Sequence, residues 1–198
     1  MKLFDPDAPF VKELPDVGPD GLTDAQRRSH RIASWMLIPL FVVLLAIIVP
    51  LYVLYDVGKV DGDSMNPTLR TAEYLLITRG LHFPQRGDVV IMNVNLPDGT
   101  TDLVKRIVAL PNDRVKVIGD RVWVNGAPEA YPHQAVITDA RHPAGEFTIP
   151  PGHVYVMGDN RPGSSDSREL GWMPVSWIHG KVIAVWFPVN RIRQIPGP

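Results

Sequence analysis

From Ile32 to Tyr55 the chain reads IASWMLIPLFVVLLAIIVPLYVLY, about 24 residues without a charge. About 20 such residues suffice to cross the hydrocarbon core of a bilayer as a helix. A helix buried in a soluble core seldom stays apolar on every face over this length. A cleaved signal peptide has a shorter apolar core followed by a small-residue cleavage site, and no A-x-A follows here. Pro39 and Pro50 fall inside the run, and both are tolerated in a membrane helix. The expected division is a tail over 1–31, a transmembrane helix over 32–56 and a folded domain over 57–198.

Arg27, Arg28 and Arg31 precede the span, whereas Lys59, Asp61 and Asp63 follow it with no positive excess. The positive-inside rule then puts the N-terminus in the cytoplasm and everything after Tyr55 outside. Thr23 and Gln26 in LTDAQ form a candidate capping box, so the helix is expected to begin before the span. Residues 1–22, rich in Pro and Asp, read as a loose tail. Ser64 follows Tyr55 by nine positions. At about 3.3 Å per extended residue it lies within about 30 Å of the end of the span.

The part after the span has about 140 residues, enough for a core of its own. A net charge of −1 gives no support for a nucleic-acid binder. The absence of cysteine excludes thiol nucleophiles, disulfides and thiolate metal sites. YLLITRG, GDVVIMNV, LVKRIVAL, RVKVIGDRVWVNG, HVYVMGD and GKVIAVWFP are short runs rich in Val, Ile, Tyr and Trp between turn formers. The fold class is therefore mostly β: one N-terminal transmembrane helix, then a compact all-β domain. A hairpin is expected at Gly119–Asp120, and residues 127–148 read as a long loop or small excursion.

VDGDSMNPTL at 60–69 starts like a G-x-S-x-G nucleophile elbow, but Asn66 stands in place of the second glycine. A serine hydroxyl needs an adjacent base. Six histidines are present: His30, His82, His133, His142, His153 and His179. None belongs to a triad signature, and each also reads as an ordinary turn or surface residue. No H-E-x-x-H motif for zinc occurs. Lys105, in DLVKRIVALP, reads as a strand residue between apolar neighbours. Held on an apolar surface it would lose solvation and become a base; on an edge, its stem would pack while its ammonium stayed wet. YVMGDNRPGSSDSRELGWMP, over 155–174, is either a polar turn or a cluster orienting a catalytic group.

GDSMNPTL, KRIVALPND and GDNRPGSSDSRELGWMP, in that order behind an N-terminal anchor, resemble bacterial type I signal peptidases, membrane-bound Ser-Lys endopeptidases of the S26 type. The resemblance runs from the anchor to GKVIAVWFP. It implies a β fold with an active site at the membrane surface and no cofactor or metal. Ser64 matches the nucleophile and Lys105 the general base. Ser164 matches a serine that hydrogen-bonds the lysine amine, and Asp166 and Arg168 match a polar pair supporting the site. Val60, Met65, Leu69, Leu103 and Val104 match positions lining shallow pockets for small side chains.

The implied partners are preprotein signal peptides with A-x-A-like sites, membrane lipid and the export translocon, and no nucleic acid. The implied location is the bacterial plasma membrane. Gly62 stands where some members carry a serine that completes the oxyanion hole, as in the Gram-positive branch. Ala109 and Asn112 replace glycines of KRIVGLPGD. Asn tolerates left-handed backbone, whereas Ala109 implies a backbone without positive φ or a shift in packing. The rivals are a self-cleaving repressor, a mitochondrial inner-membrane peptidase of the same clan and a tethered β domain that only binds.

Overall fold

A computed structural model describes residues 17–19, 21–80, 83–96, 99–118, 121–129, 145–195 and 197. It forms two compact units, Met1–Pro50 and Leu51–Pro198.

Helix α1 runs from Asp24 to Leu54, with Pro39 and Pro50 inside it. Its start follows from LTDAQ. Gln26 Oε1 accepts from the Thr23 N–H at 2.9 Å, and Thr23 Oγ1 accepts from the Gln26 N–H at 3.4 Å. This reciprocal pairing satisfies two donors that a helix end otherwise leaves free. Leu37–Leu54 has a mean hydropathy of 3.0, and none of it is buried. Such an all-round apolar surface, long enough to cross a bilayer, is compatible with a membrane anchor. The helix stops where Asp56 enters. Its Oδ1 accepts from the Val57 N–H at 2.8 Å and its Oδ2 pairs with Arg79 at 2.8 Å, giving the backbone an alternative to the helical ladder. Tyr55 and Asp56, placed in the span by hydropathy alone, are strand residues here.

Twelve strands are found among the described residues. In chain order, β1 is Tyr55–Lys59, β2 Tyr74–Arg79, β3 Val89–Leu96, β4 Gly99–Ala109, β5 Arg114–Ile118 and β6 Arg121–Val124. β7 is Ala127–Pro128, β8 Glu146–Thr148, β9 His153–Met157, β10 Met173–Pro174, β11 Ile178–Phe187 and β12 Arg193–Gln194. The larger sheet has the order β1-β2-β11-β3-β4-β9-β10, with β12 on β11; the smaller has β7-β6-β5-β8. The fold is mostly β, with each expected strand present and all pairings antiparallel.

β5 and β6 pair as expected from Val115↔Val124 to Ile118↔Arg121; the turn between them lies outside the described residues. Of the stretch 127–148, only its ends are described, as β7 and β8. A short helix α2, Ser167–Leu170, has no counterpart in the sequence reading, because four residues carry no readable period. Its limits come from Asp166 as N-cap and Gly171, whose φ of 77 favours glycine.

The topology puts β4 between β3 and β9, in the interior of the larger sheet. Lys105 sits opposite Val90, and Arg106 sits opposite Val89 on one side and Met157 on the other. Val60, Met65, Leu69, Leu75 and Ile77 belong to one core cluster. Val90, Met92 and Ile107 anchor a second, and Val108, Val115 and Tyr155 a third. Ala109 closes β4 without positive φ, while Asn112 has φ 69 in the following turn. The two departures from glycine therefore meet different backbone demands.

Candidate active site

The loop from Asp61 to Ala72 leaves β1 and returns to β2 through a tight neck. The Val60 N–H donates to Glu73 O at 2.8 Å, and the Ala72 N–H donates to Val60 O at 2.9 Å. Two turns shape its interior, Asn66 N–H to Asp63 O at 3.0 Å and Leu69 N–H to Met65 O at 2.9 Å. Met65 and Leu69 are buried and pin the loop to the core. Glu73 holds the neck from outside by accepting from the Arg70 N–H and from the guanidinium groups of Arg191 and Arg193. Burial works to raise the Glu73 carboxyl, but Arg193, Arg70 and Arg191 outweigh it and hold it below the ordinary glutamate value. This frame leaves Ser64 half-buried. Its backbone N–H has no acceptor among the described residues.

Lys105 Nζ lies 2.8 Å from Ser64 Oγ and donates to it in the charged form. Once neutral, the amine can accept the hydroxyl proton along the same line. The lysine is only 3% exposed. Burial drives its pKa down; Asp166 acts upward and Arg168 downward, and the net result is below the ordinary lysine value. Lys105 pairs with Val90 on one side, and β9 joins the other side of β4 only from Arg106, so it is the burial of the side chain that produces this desolvation.

Asp166 is fully buried and accepts five hydrogen bonds. Gly158 N–H and Ser164 Oγ reach Oδ2 at 2.9 and 2.8 Å. Arg168 supplies its backbone N–H at 3.2 Å, its Nε at 2.8 Å and a terminal nitrogen at 2.9 Å. Burial acts to raise the Asp166 carboxyl, but Arg168, Gly158 and Ser164 together hold it below the ordinary aspartate value. The resemblance had directed the Ser164 hydroxyl to the lysine amine. Here its hydroxyl donates to the carboxylate of Asp166, the lysine's charge partner.

The five residues matched to substrate pockets do not share one surface. Val60, Met65 and Leu69 are buried in a single core cluster with Val104 packed against it, whereas Leu103 packs against the cluster of Val90 and Met92. Successive strand residues point to opposite faces, which separates Leu103 from Val104. His153 Nδ1 lies 3.0 Å from Pro151 O, and His179 lies 3.9 Å from Asp56; neither is bonded to Ser64. His30 lies in α1 where only the backbone is described, and His82, His133 and His142 fall outside the described residues. Among the described residues no group of three His, Cys, Asp or Glu side chains could hold a metal.

Two supports had no role in the sequence reading although their motifs were visible. Arg106 and Asp159 form a fully buried two-point pair, at 2.9 and 2.7 Å, and Arg106 also donates to Gly87 O. Asn160 holds the nucleophile loop directly: its N–H donates to Ser64 O at 2.9 Å and its Nδ2 to Asp63 O at 3.1 Å. KRIV and GDNR marked both places, but pairing across 53 residues is not a sequence signal.

Gly62 has φ 96, although a Cβ there would meet nothing within 4 Å. A serine hydroxyl at this position would thus cost backbone strain, not space. Gly62→Ser is expected to lower stability by about 1–2 kcal/mol, measurable as a shift of the urea midpoint; an unchanged midpoint would mean the loop relaxes freely.

A serine hydroxyl hydrogen-bonded to a buried lysine is the arrangement used by Ser-Lys acyl-transfer enzymes, and no described histidine is bonded to the serine. The family model "Signal peptidase, peptidase S26" matches residues 32–187. Signal peptidase I of Bacillus licheniformis is 30% identical over 84% of this chain and 95% of its own length. Signal peptidase I T of Bacillus subtilis is 31% identical over 86% of this chain and 93% of its own. A crystal structure of a signal peptidase I from Enterococcus faecalis V583 aligns with a TM-score of 0.41 at 25% identity, over 52% of this chain and 98% of that one. The chain belongs to the signal peptidase family, peptidase S26.

Proposed function

We propose that this chain is a membrane-anchored serine endopeptidase that removes signal peptides from exported preproteins, with Ser64 as nucleophile and Lys105 as general base. The observation that carries the reading is the 2.8 Å contact between Lys105 Nζ and Ser64 Oγ, made by a lysine that burial holds below its ordinary pKa. Neutral Lys105 takes the Ser64 proton as Oγ attacks the scissile carbonyl. The Ser64 N–H stabilises the oxyanion, and loss of such a donor typically costs about 100- to 1,000-fold in rate. The amine leaving group takes the proton from Lys105, leaving an acyl-enzyme. Water, deprotonated by the same lysine, then releases the signal peptide and regenerates Ser64. Ser164, Asp166 and Arg168 hold the lysine's surroundings fixed.

The substrate binds extended along the part of β4 that precedes Arg106, where β3 pairs on one side and β9 does not reach the other, so that backbone hydrogen bonds give affinity. The cluster of Val60, Met65 and Leu69, with Val104 packed against it, underlies a pocket that favours small side chains, as in an A-x-A site, whereas Leu103, on the other face of β4, takes no part in it. Arg27, Arg28 and Arg31 support an N-terminal segment in the cytoplasm, a span that ends with α1 at Leu54 in the plasma membrane and a domain from Tyr55 onward outside it. Anchoring raises the effective concentration of enzyme and signal peptide on one surface, beside the export translocon. Lipid association is supported by Tyr74, Trp186 and Phe187, whose rings lie 5.7–6.3 Å apart with both Trp186 and Phe187 exposed.

The test is incubation of the full chain, in micelles with phospholipid, with a preprotein bearing an A-x-A site, the cut being located by mass spectrometry. A cut directly after A-x-A, lost in Ser64→Ala, is expected. Cleavage that persists in Ser64→Ala would overturn the nucleophile, and a folded wild type without cleavage would overturn the function.

A further inference from the structure

The geometry points to Glu129 and Arg161 as a positioning pair that sets the place of Gly158, and through it of Ser64, Ser164 and Asp166. The inference rests on the Ser-Lys reading above. Gly158 is the joint of the site. Its N–H donates to Asp166 Oδ2 at 2.9 Å. A Cβ on it would fall 2.3 Å from Ser164 Oγ and 2.4 Å from Ser64 O, so its backbone already touches both serines. Its carbonyl is held by Arg161 Nε at 3.0 Å. A terminal nitrogen of Arg161 reaches Glu129 Oε1 at 2.6 Å, beyond the end of β7 in the smaller sheet's chain segment. The Arg161 carbonyl accepts from Arg168. One buried guanidinium thus joins Glu129 to the carbonyl of Gly158, the residue whose N–H donates to Asp166.

The pair is poorly built for stability alone. The side chains of Arg161 and Glu129 are 1% and 2% exposed, yet among the described residues Arg161 Nη1 and Glu129 Oε2 have no hydrogen-bond partner. Buried polar atoms without partners cost free energy, and a buried ion pair seldom outdoes an apolar packing of equal volume. What the pair supplies is direction: a planar guanidinium holds a carboxylate and a carbonyl in one fixed geometry, which an ammonium cannot do. A displacement of Gly158 would loosen the Asp166 carboxylate and the Ser64 carbonyl together, and small misplacements of reacting groups cost about 100-fold in rate.

The two partners can be separated by experiment. Arg161→Lys keeps the charge facing Glu129 but cannot hold Gly158 O at the same time. Glu129→Gln keeps the acceptor for Arg161 but leaves a buried charge unbalanced. The full chain in phospholipid micelles is assayed for kcat and KM on the A-x-A preprotein, with thermal unfolding and the folded fraction recorded for each form. Arg161→Lys is expected to lower kcat at least about tenfold, with KM within about twofold and the smaller fall in Tm. Glu129→Gln is expected to show the larger fall in Tm and only about a threefold loss of kcat per folded molecule. Losses of kcat that follow Tm in the opposite order, or no loss in either variant, would overturn the positioning role. Lys105→Met is run beside them. Activity surviving in it would sink the dyad reading itself, whereas its loss with unaltered pair variants would sink this inference alone.

Discussion

Lys105→Met is expected to leave a folded protein whose cleavage rate is at least about 1,000-fold below wild type, at the upper end of what a general base contributes. Methionine matches the length of the lysine stem and suits a site that is 3% exposed, so the loss should be chemical and not structural. The same residue sets the pH dependence. The base works only when neutral, so the wild-type rate rises with pH as Lys105 gives up its proton. Burial has moved that step below the ordinary lysine value near about 10.4. Single-turnover rates across pH should show an acid limb in the wild type. A rate flat down to about pH 5, or a Lys105→Met variant that still cleaves, would return attention to histidine.

Stability carries the same signature with its sign fixed. Lys105 is held below its unfolded pKa, so between the two values the unfolded chain binds more protons and stability rises with pH. Lys105→Met should remove that slope in the window between the lowered value and the ordinary lysine range. It is read as the pH dependence of the urea midpoint.

Asp166→Asn should be the most damaging change among the supporting residues. Asparagine still caps α2 and is nearly isosteric. It removes the charge that faces Arg168 at 2.8 Å with both side chains buried. An uncompensated buried guanidinium costs about 3–5 kcal/mol, so a marked fall in Tm is expected. In the molecules that remain folded, Lys105 loses the charge of Asp166, which raises its pKa, while burial and Arg168 go on lowering it. The acid limb of the rate profile should therefore move to lower pH. A limb that moves upward would show that Asp166 acts on the lysine by some route other than its charge.

The sequence by itself determined the anchor, the strand content and the three stretches that meet at the site. Those are local matters: an uncharged run, β-branched alternation, the Thr23–Gln26 cap and a left-handed backbone at Asn112 are each written within a few residues. It also located Ser64, Lys105, Ser164, Asp166 and Arg168 through resemblance, without stating how they touch. Only the tertiary structure decided that the Lys105 side chain is buried and not left wet at an edge. The burial of its side chain depends on what packs around β4, and β9, which joins that strand from Arg106, comes some fifty residues later in the chain. The partners of Arg106, Asn160 and Arg161 were equally illegible, since a hydrogen bond across the fold leaves no periodic trace. The direction of the Ser164 proton was decided last, by a carboxylate that only the folded chain brings within 2.8 Å in that geometry. Desolvation and charge pairing set the chemistry here, and both are properties of what surrounds a residue in space, which a single sequence does not record.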